Sequence, residues 1–265
     1  MPENGCSVVV DEEALRREMV ATSRKVHTRG WVANHDGNIS ARLNGGRLLA
    51  TPTAVSKGDV VPEWLIVVDS SGTVVEGTRR AFSELALHRA AYQARPDIGV
   101  VIHAHPPTAT GFAVAGIELG HPFMAEPVVS LGPAIPTVPY FAPGAVGLDE
   151  AIGRALQGAD VILLAQHGVL AVGGNLEQAF LRLELVEHLA QIGLVARQLG
   201  GVTPLPQGDV AQLIKKGRPV SLPNFAPDSG TANGSHQGKR EGSTAGTDGR
   251  PDLNGLVTDA LNRLR

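Results

Sequence analysis

The chain is poor in what would tie it to several large classes of protein. One cysteine, Cys6, occurs in 265 residues. No disulfide can close within the chain, and a reducing compartment, the cytoplasm, is the expected location. The formal net charge is only −3, with a pI near 6.3, so there is no basic field to hold a nucleic-acid backbone. Long hydrophobic runs are missing too: Val161-Ile162-Leu163-Leu164-Ala165 is far too short to cross a bilayer. Pro2, Glu3 and Asn4 open the chain without a basic segment and apolar stretch, so no secretory leader is expected. What remains is ordinary globular composition, 43% hydrophobic and 18% charged, enough for one large domain with a substantial core. The expected partner is a small-molecule substrate, with no nucleic acid and no membrane.

Residues 11–29 set Leu15, Met19 and Val26 among many charges, the spacing of an amphipathic helix, and Asp11, Glu12 and Glu13 suit its N-terminus. Short strand-like runs follow at 37–42, 47–51 and 65–68, punctuated by Gly, Pro, Asn and Asp, which predicts a mixed sheet with tight connections. A helix is expected over 83–95, with Ser83 as N-cap and Pro96 beyond its end. Residues 98–103 read as a buried strand and 108–115 as a helix broken by Gly116. Residues 128–138, interrupted by Gly132, Pro133 and Pro136, read as strand and loop. A helix over 149–156, a central strand over 161–165 and a short strand over 169–172 come next. A long helix over 175–199 has Asn175 as cap and Gly200-Gly201 past its end.

From Pro204 the character changes. Residues 215–251 are rich in Gly, Ser, Thr, Pro and Asn, too poor in large apolar side chains to offset the entropy of ordering. Residues 253–264 could form one short amphipathic helix. The expected organisation is an N-terminal extension over 1–10, one folded domain over 11–216, and a disordered tail over 217–265.

The sharpest chemical signal is His103-Ala104-His105-Pro106 after an apolar run. Alternate strand residues share a face, so both imidazoles can converge on one point, a ready site for a divalent metal. An isolated His-x-His is equally well a pair of histidines at a strand end. A second apolar strand delivers His167 in Gln166-His167-Gly168, and a third imidazole there would complete a three-histidine shell with a position left open. Alone, His167 reads as a hydrogen-bonded structural histidine. Glu84 falls at the start of a helix, where the helix dipole stabilises a carboxylate; beside a metal it would serve as general acid or base. The turns Asp36-Gly37-Asn38-Ile39-Ser40 and Thr51-Pro52-Thr53-Ala54 can gather backbone N–H groups around an anion, or be simple turns. His27, His35, His88, His121, His188 and His236 read as ordinary surface or core histidines.

Taken in order, Gly37-Asn38-Ile39-Ser40, Thr51-Pro52-Thr53, Ser83-Glu84, His103-Ala104-His105-Pro106 and Gln166-His167-Gly168 resemble the class II aldolase/adducin head family. The resemblance covers about residues 12–205. Each motif is weak alone; their order and spacing make the set specific. The resemblance implies an α/β fold, a single three-layer α/β/α domain with a central, mainly antiparallel sheet, assembled as a homotetramer with sites at subunit interfaces. Carried over by motif, His103, His105 and His167 would hold one divalent metal ion per subunit, zinc first, with manganese, iron or cobalt as alternatives. Glu84 would be the catalytic acid/base. Gly37, Asn38, Thr53 and Ser83 would grip a substrate phosphate. The implied reaction is aldolase-type carbon–carbon cleavage of a small hydroxy-ketone or sugar phosphate through a metal-stabilised enediolate. No Schiff base is needed, and Lys57 is the only lysine near these motifs.

Four departures bear on the reaction. Phe82-Ser83-Glu84 replaces a hydroxyl by a ring, Ala54 stands where the phosphate turn often ends in glycine, and Asp36 adds a negative charge to the first loop. The aldolase tyrosine that donates a proton from a neighbouring subunit has no match in Pro122-Phe123-Met124-Ala125, and Tyr140 lies too far along. Phe82 and the altered phosphate turns keep a second chemistry open, a metal-dependent decarboxylase of an aromatic or keto acid. A non-catalytic adducin-like module has no need of His103, His105, His167 and Glu84 together.

Overall fold

A computed structural model describes residues 11–217 other than 120–121 and 143–144. The expected extension over 1–10, Cys6, His121, His236, residues 218–251 of the expected tail and the helix over 253–264 lie outside the described residues.

The chain opens with α1 (Glu12–Thr28), whose N-cap Asp11 accepts the Ala14 N–H at 3.1 Å while Glu12 and Glu13 occupy the positive helix end. Eight strands then form one sheet: β1 (Asn38–Arg42), β2 (Leu48–Ala50), β3 (Ile66–Val68), β4 (Val74–Glu76), β5 (Val100–Ala104), β6 (Thr137–Val138), β7 (Val161–Leu164) and β8 (Gly168–Gly173). Their order is β4-β3-β2-β1-β5-β8-β7-β6, antiparallel throughout except for the β6–β7 pair. The expected mainly antiparallel sheet is what is found.

Both faces are covered, because strand residues alternate between two apolar clusters. Ile39, Leu49, Val67, Ile102, Leu163 and Ala171 face α1, α3 (Pro107–Ala115) and α6 (Leu176–Gln198). Leu48, Ile66, Val101, Ile162, Leu170 and Val172 face α2 (Leu85–Ala94) and α5 (Leu148–Gln157). This is the three-layer α/β/α arrangement. A fully buried Leu163 or Ile162 contributes on the order of 1.5–3 kcal/mol. α6 begins as expected, with Asn175 accepting the Gln178 N–H at 2.8 Å. No helix among the described residues is long and apolar enough to cross a membrane.

Three expectations need correction. Residues 125–131 are helical, as α4 (Ala125–Leu131), before the two-residue β6. Pro127 is tolerated because first-turn N–H groups lack intrahelical partners, and Gly132, at φ 102°, ends the helix. The start of the stretch read as disordered also shifts: α7 (Gln207–Lys216) packs on α4, so Lys215 and Lys216 lie inside a helix. Finally, Ser83 is not the cap of α2. Glu84 occupies that position and makes no side-chain capping bond, because its carboxylate is held elsewhere.

One long-range contact positions the site. The buried carboxylate of Glu187 on α6 accepts the N–H groups of Thr108 (3.1 Å) and Ala109 (2.8 Å), capping the start of α3 just past His105.

Candidate metal centre

His103, His105 and His167 converge. One ring nitrogen from each lies within 4.8 Å of the others. His103 is on β5, directly across from Asn38 of β1 and Leu170 of β8, and its side chain is fully buried. His105 follows past the strand end, where its own N–H donates to the Trp31 carbonyl at 2.8 Å. His167 sits in the turn between β7 and β8, preceded by Gln166 in a left-handed conformation, φ 52°. Gly168 is required here by space: a Cβ would lie 2.4 Å from His105 Cδ2 and 2.7 Å from the Ala104 carbonyl oxygen. Gly37 is constrained likewise, with φ 67° and a Cβ that would meet Val32 Cγ1 at 2.4 Å and the His103 carbonyl oxygen at 3.0 Å.

The donor set suits a divalent ion. His103 Nδ1–H donates to the Val169 carbonyl at 2.9 Å, which leaves the Nε2 lone pair aimed inward. His103 Nε2 and His105 Nε2 are 3.1 Å apart, with no proton donor required between them if both face a cation. Tetrahedral nitrogen ligands at about 2.0–2.1 Å from zinc would stand roughly 3.3–3.4 Å apart, close to this spacing. Burial, then the positive potential of His103 and His167, push the His105 pKa down to about 4, so the ring is uncharged at neutral pH. His105 and His167 are part-exposed, which leaves an approach from solvent. Asp36, 3.8 Å from His105 Nδ1, faces that imidazole from the first turn.

Glu84 closes the group. Its Oε1 lies 2.6 Å from His167 Nε2 and its Oε2 3.5 Å from His103 Nε2. Asn38 Nδ2 donates to Oε2 at 2.8 Å. Partial burial raises the carboxyl pKa, but the facing imidazoles of His103 and His167 and the hydrogen bond from Asn38 outweigh it and hold the group well below the usual carboxylate range. Asn38 is therefore buried with its carboxamide already committed, donating to Glu84 and accepting from His88 Nε2 at 2.6 Å.

The turns read as anion-gripping are stitched together by backbone bonds. Thr51 N–H donates to the Ile39 carbonyl and Thr53 N–H to the Arg80 carbonyl, each at 3.0 Å, so the segments carrying Gly37, Thr53 and Ser83 adjoin. Ser83 is exposed and Thr53 partly so; neither hydroxyl makes a hydrogen bond among the described residues. Ala54 holds φ 57°, the left-handed backbone that glycine adopts freely. Lys57, buried beneath the turns, donates to the His35 (3.2 Å) and Val55 (3.0 Å) carbonyls, and burial pushes its pKa down to about 8. Phe82 is not an open apolar wall. It is 7% exposed, packed in the α2–α5 cluster with its ring centroid 5.0 Å from that of His88.

His88 and Glu187 are site-shaping residues that pattern reading passed over. His88 had one available signal, its position four residues beyond Glu84, about one helical turn. Glu187 had none, since the N–H groups it caps lie 78 and 79 residues away. A cleft of about 920 Å³ lined by Arg29, Trp31, Asp160 and residues of α4 and α6 contains none of the three histidines. Chemistry rather than size marks the site.

Comparison with known proteins identifies the family. The family described as Class II Aldolase and Adducin N-terminal domain matches residues 17–194. A 5-deoxy-D-ribulose 1-phosphate aldolase from Bacillus thuringiensis serovar kurstaki is 31% identical over 202 residues, covering 76% of this chain and 94% of the relative. A 3-oxo-tetronate 4-phosphate decarboxylase from Escherichia coli K12 is 29% identical over 208 residues, covering 76% and 96%. Among solved structures, an L-fuculose 1-phosphate aldolase superposes with a TM-score of 0.70 at 29% identity, covering 77% of this chain and 95% of that one.

Proposed function

The chain belongs to the family of class II aldolases and adducin N-terminal domains, and from that membership and the converging histidines we propose that it is a divalent-metal-dependent carbon–carbon lyase acting on a small phosphorylated hydroxy-ketone. The carrying observation is His103, His105 and His167 within 4.8 Å of one another with Glu84 Oε1 2.6 Å from His167 Nε2. His103, His105 and His167 would hold a divalent ion, zinc by preference with manganese, iron or cobalt as alternatives, which would supply Lewis acidity to the substrate's carbonyl group.

Glu84, held anionic, takes the hydroxyl proton as the bond breaks and returns one to the carbon left electron-rich. Asn38 keeps one oxygen of that carboxylate in place, and so serves the substrate by orienting Glu84. Gly37 gives the first turn its close approach to the site. Thr53 and Ser83 offer their free hydroxyls to the phosphate, and Lys57 braces the turns that carry them. Lys57 is not a Schiff-base lysine in this reading, since its ammonium is bonded to two carbonyls.

Decarboxylation of a phosphorylated 3-oxo acid is the second reading, favoured by the E. coli relative. An aromatic substrate loses its support, because Phe82 lies in the core. The homotetramer with interfacial sites remains our reading of the assembly, supported by exposed Val114 on α3 and by Leu194 and Val195 on α6. With a single cysteine, a reducing cytoplasm is the compartment we assign.

The test is metal analysis with assays on ketose 1-phosphates and phosphorylated 3-oxo acids. We expect one ion per subunit, lost in His103→Ala, His105→Ala and His167→Ala. Glu84→Gln should keep metal and fold while losing about 10²-fold or more in kcat. Full occupancy in His167→Ala would sink the triad, and near-normal turnover in Glu84→Gln would reduce Glu84 to a structural carboxylate.

A further inference from the structure

We propose that His88 is a positioning residue that fixes the Asn38 carboxamide and, through it, the orientation of Glu84; this rests on the reading of Glu84 as the acid/base. His88 lies on α2, is 0% exposed, and has hydrogen bonds at both ring nitrogens. Nε2 is 2.6 Å from Asn38 Oδ1, and Nδ1 is 2.6 Å from Ser40 Oγ. Tyr92 Oη stands behind, 3.0 Å from Ser40 Oγ and donating to the Ser40 carbonyl at 2.9 Å.

The proton placement in this chain is determined by its ends. The Glu84 carboxylate only accepts, so the Asn38 group facing it at 2.8 Å must be the NH₂. Asn38 then presents its carbonyl oxygen to His88, which requires a proton on Nε2. Nδ1 is left bare and accepts the Ser40 hydroxyl proton. A neutral Nε2–H imidazole satisfies every partner. The Nδ1–H tautomer would set the bare Nε2 against Asn38 Oδ1, an acceptor against an acceptor. It would favour a carboxamide flip that aims Oδ1 at the carboxylate. Burial holds the ring neutral, with its pKa pushed down to about 3.

Strand alternation explains why these groups meet. Asn38 and Ser40 lie on the α2 face of β1, while Ile39 and Ala41 between and after them enter the opposite cluster. Glu84, the N-cap of α2, precedes His88 by four residues, about one helical turn. Phe82, edge-on to the imidazole, closes the remaining side.

The test uses the full-length, metal-loaded protein. Imidazole ¹⁵N spectra of the unsubstituted chain should show His88 as the neutral Nε2–H tautomer. An Nδ1–H tautomer or an imidazolium at neutral pH would overturn the proposal. This reading needs neither substrate nor a variant, so it separates failure of this inference from failure of the lyase reading. His88→Leu should lower kcat by about tenfold or more, with KM and metal content unchanged. His88→Gln, whose side-chain amide can still donate to Asn38 Oδ1, should recover most of that loss. Equal losses in the two variants, or a loss confined to KM, would overturn the positioning role.

Discussion

Ala54 and His88 show how a single position can work against its ordinary chemistry. At φ 57° Ala54 carries a left-handed strain of about 1–2 kcal/mol that glycine would not. Glycine also enlarges the unfolded ensemble, by about 0.4–1 kcal/mol. Ala54→Gly should therefore stabilise the fold by roughly 0–1.6 kcal/mol, read as a urea midpoint at or above that of the unsubstituted chain; a lower midpoint would refute the strain. For His88 the sign follows from its depressed pKa, about 3 in the fold against an ordinary value near 6.5. His103 pushes it down and Glu84 pulls it up, but burial dominates. Between those values the unfolded chain binds the extra proton. Stability from this group is complete above pH 6.5 and falls below it by up to about 1.4 kcal/mol per pH unit. His88→Gln should lose stability less steeply between pH 6 and pH 4 than the unsubstituted chain, as followed by denaturant titration; parallel slopes would contradict a neutral buried imidazole.

Among the helices, those whose ends are set by neighbours in the chain were legible. Asp11 and Asn175 cap α1 and α6 through bonds to residues three positions on. α3 is different, because Glu187 caps it from α6. Glu187→Ala should destabilise the protein by about 1–3 kcal/mol, the scale of buried donors left unpaired. Because α3 begins just after His105, the same change should weaken metal retention in a chelator competition. A loss of stability with unaltered retention would confine Glu187 to the helix end. α2 and α4 were misread for related reasons. Glu84 is drawn off its capping duty by Asn38 and His167, and Pro127 in a first turn looks like an interruption when the surrounding packing is unknown.

Across the molecule, α7 marks the last described element, and Gly217 packs so closely that a Cβ there would lie 2.6 Å from the Val129 carbonyl oxygen. Truncation after Gly217 should leave the melting temperature within a few degrees, since the removed residues lack a core-forming composition. A large fall would show that the domain extends beyond residue 216. Truncation after Leu205, which removes α7 from α4, should be the more damaging cut. What could be read along the chain was local. His103 and His105 share one side of a strand, alternating apolar residues mark both faces of a sheet, and the order of five short motifs implies the family. The rest depends on segments far apart in sequence. Packing α2 against β1 and β5 turns Glu84 toward His167, buries Phe82 in the core and commits the Asn38 carboxamide to Glu84. Hydrogen bonds spanning 46 and 50 residues hold that arrangement, and no periodicity or spacing along the chain encodes them.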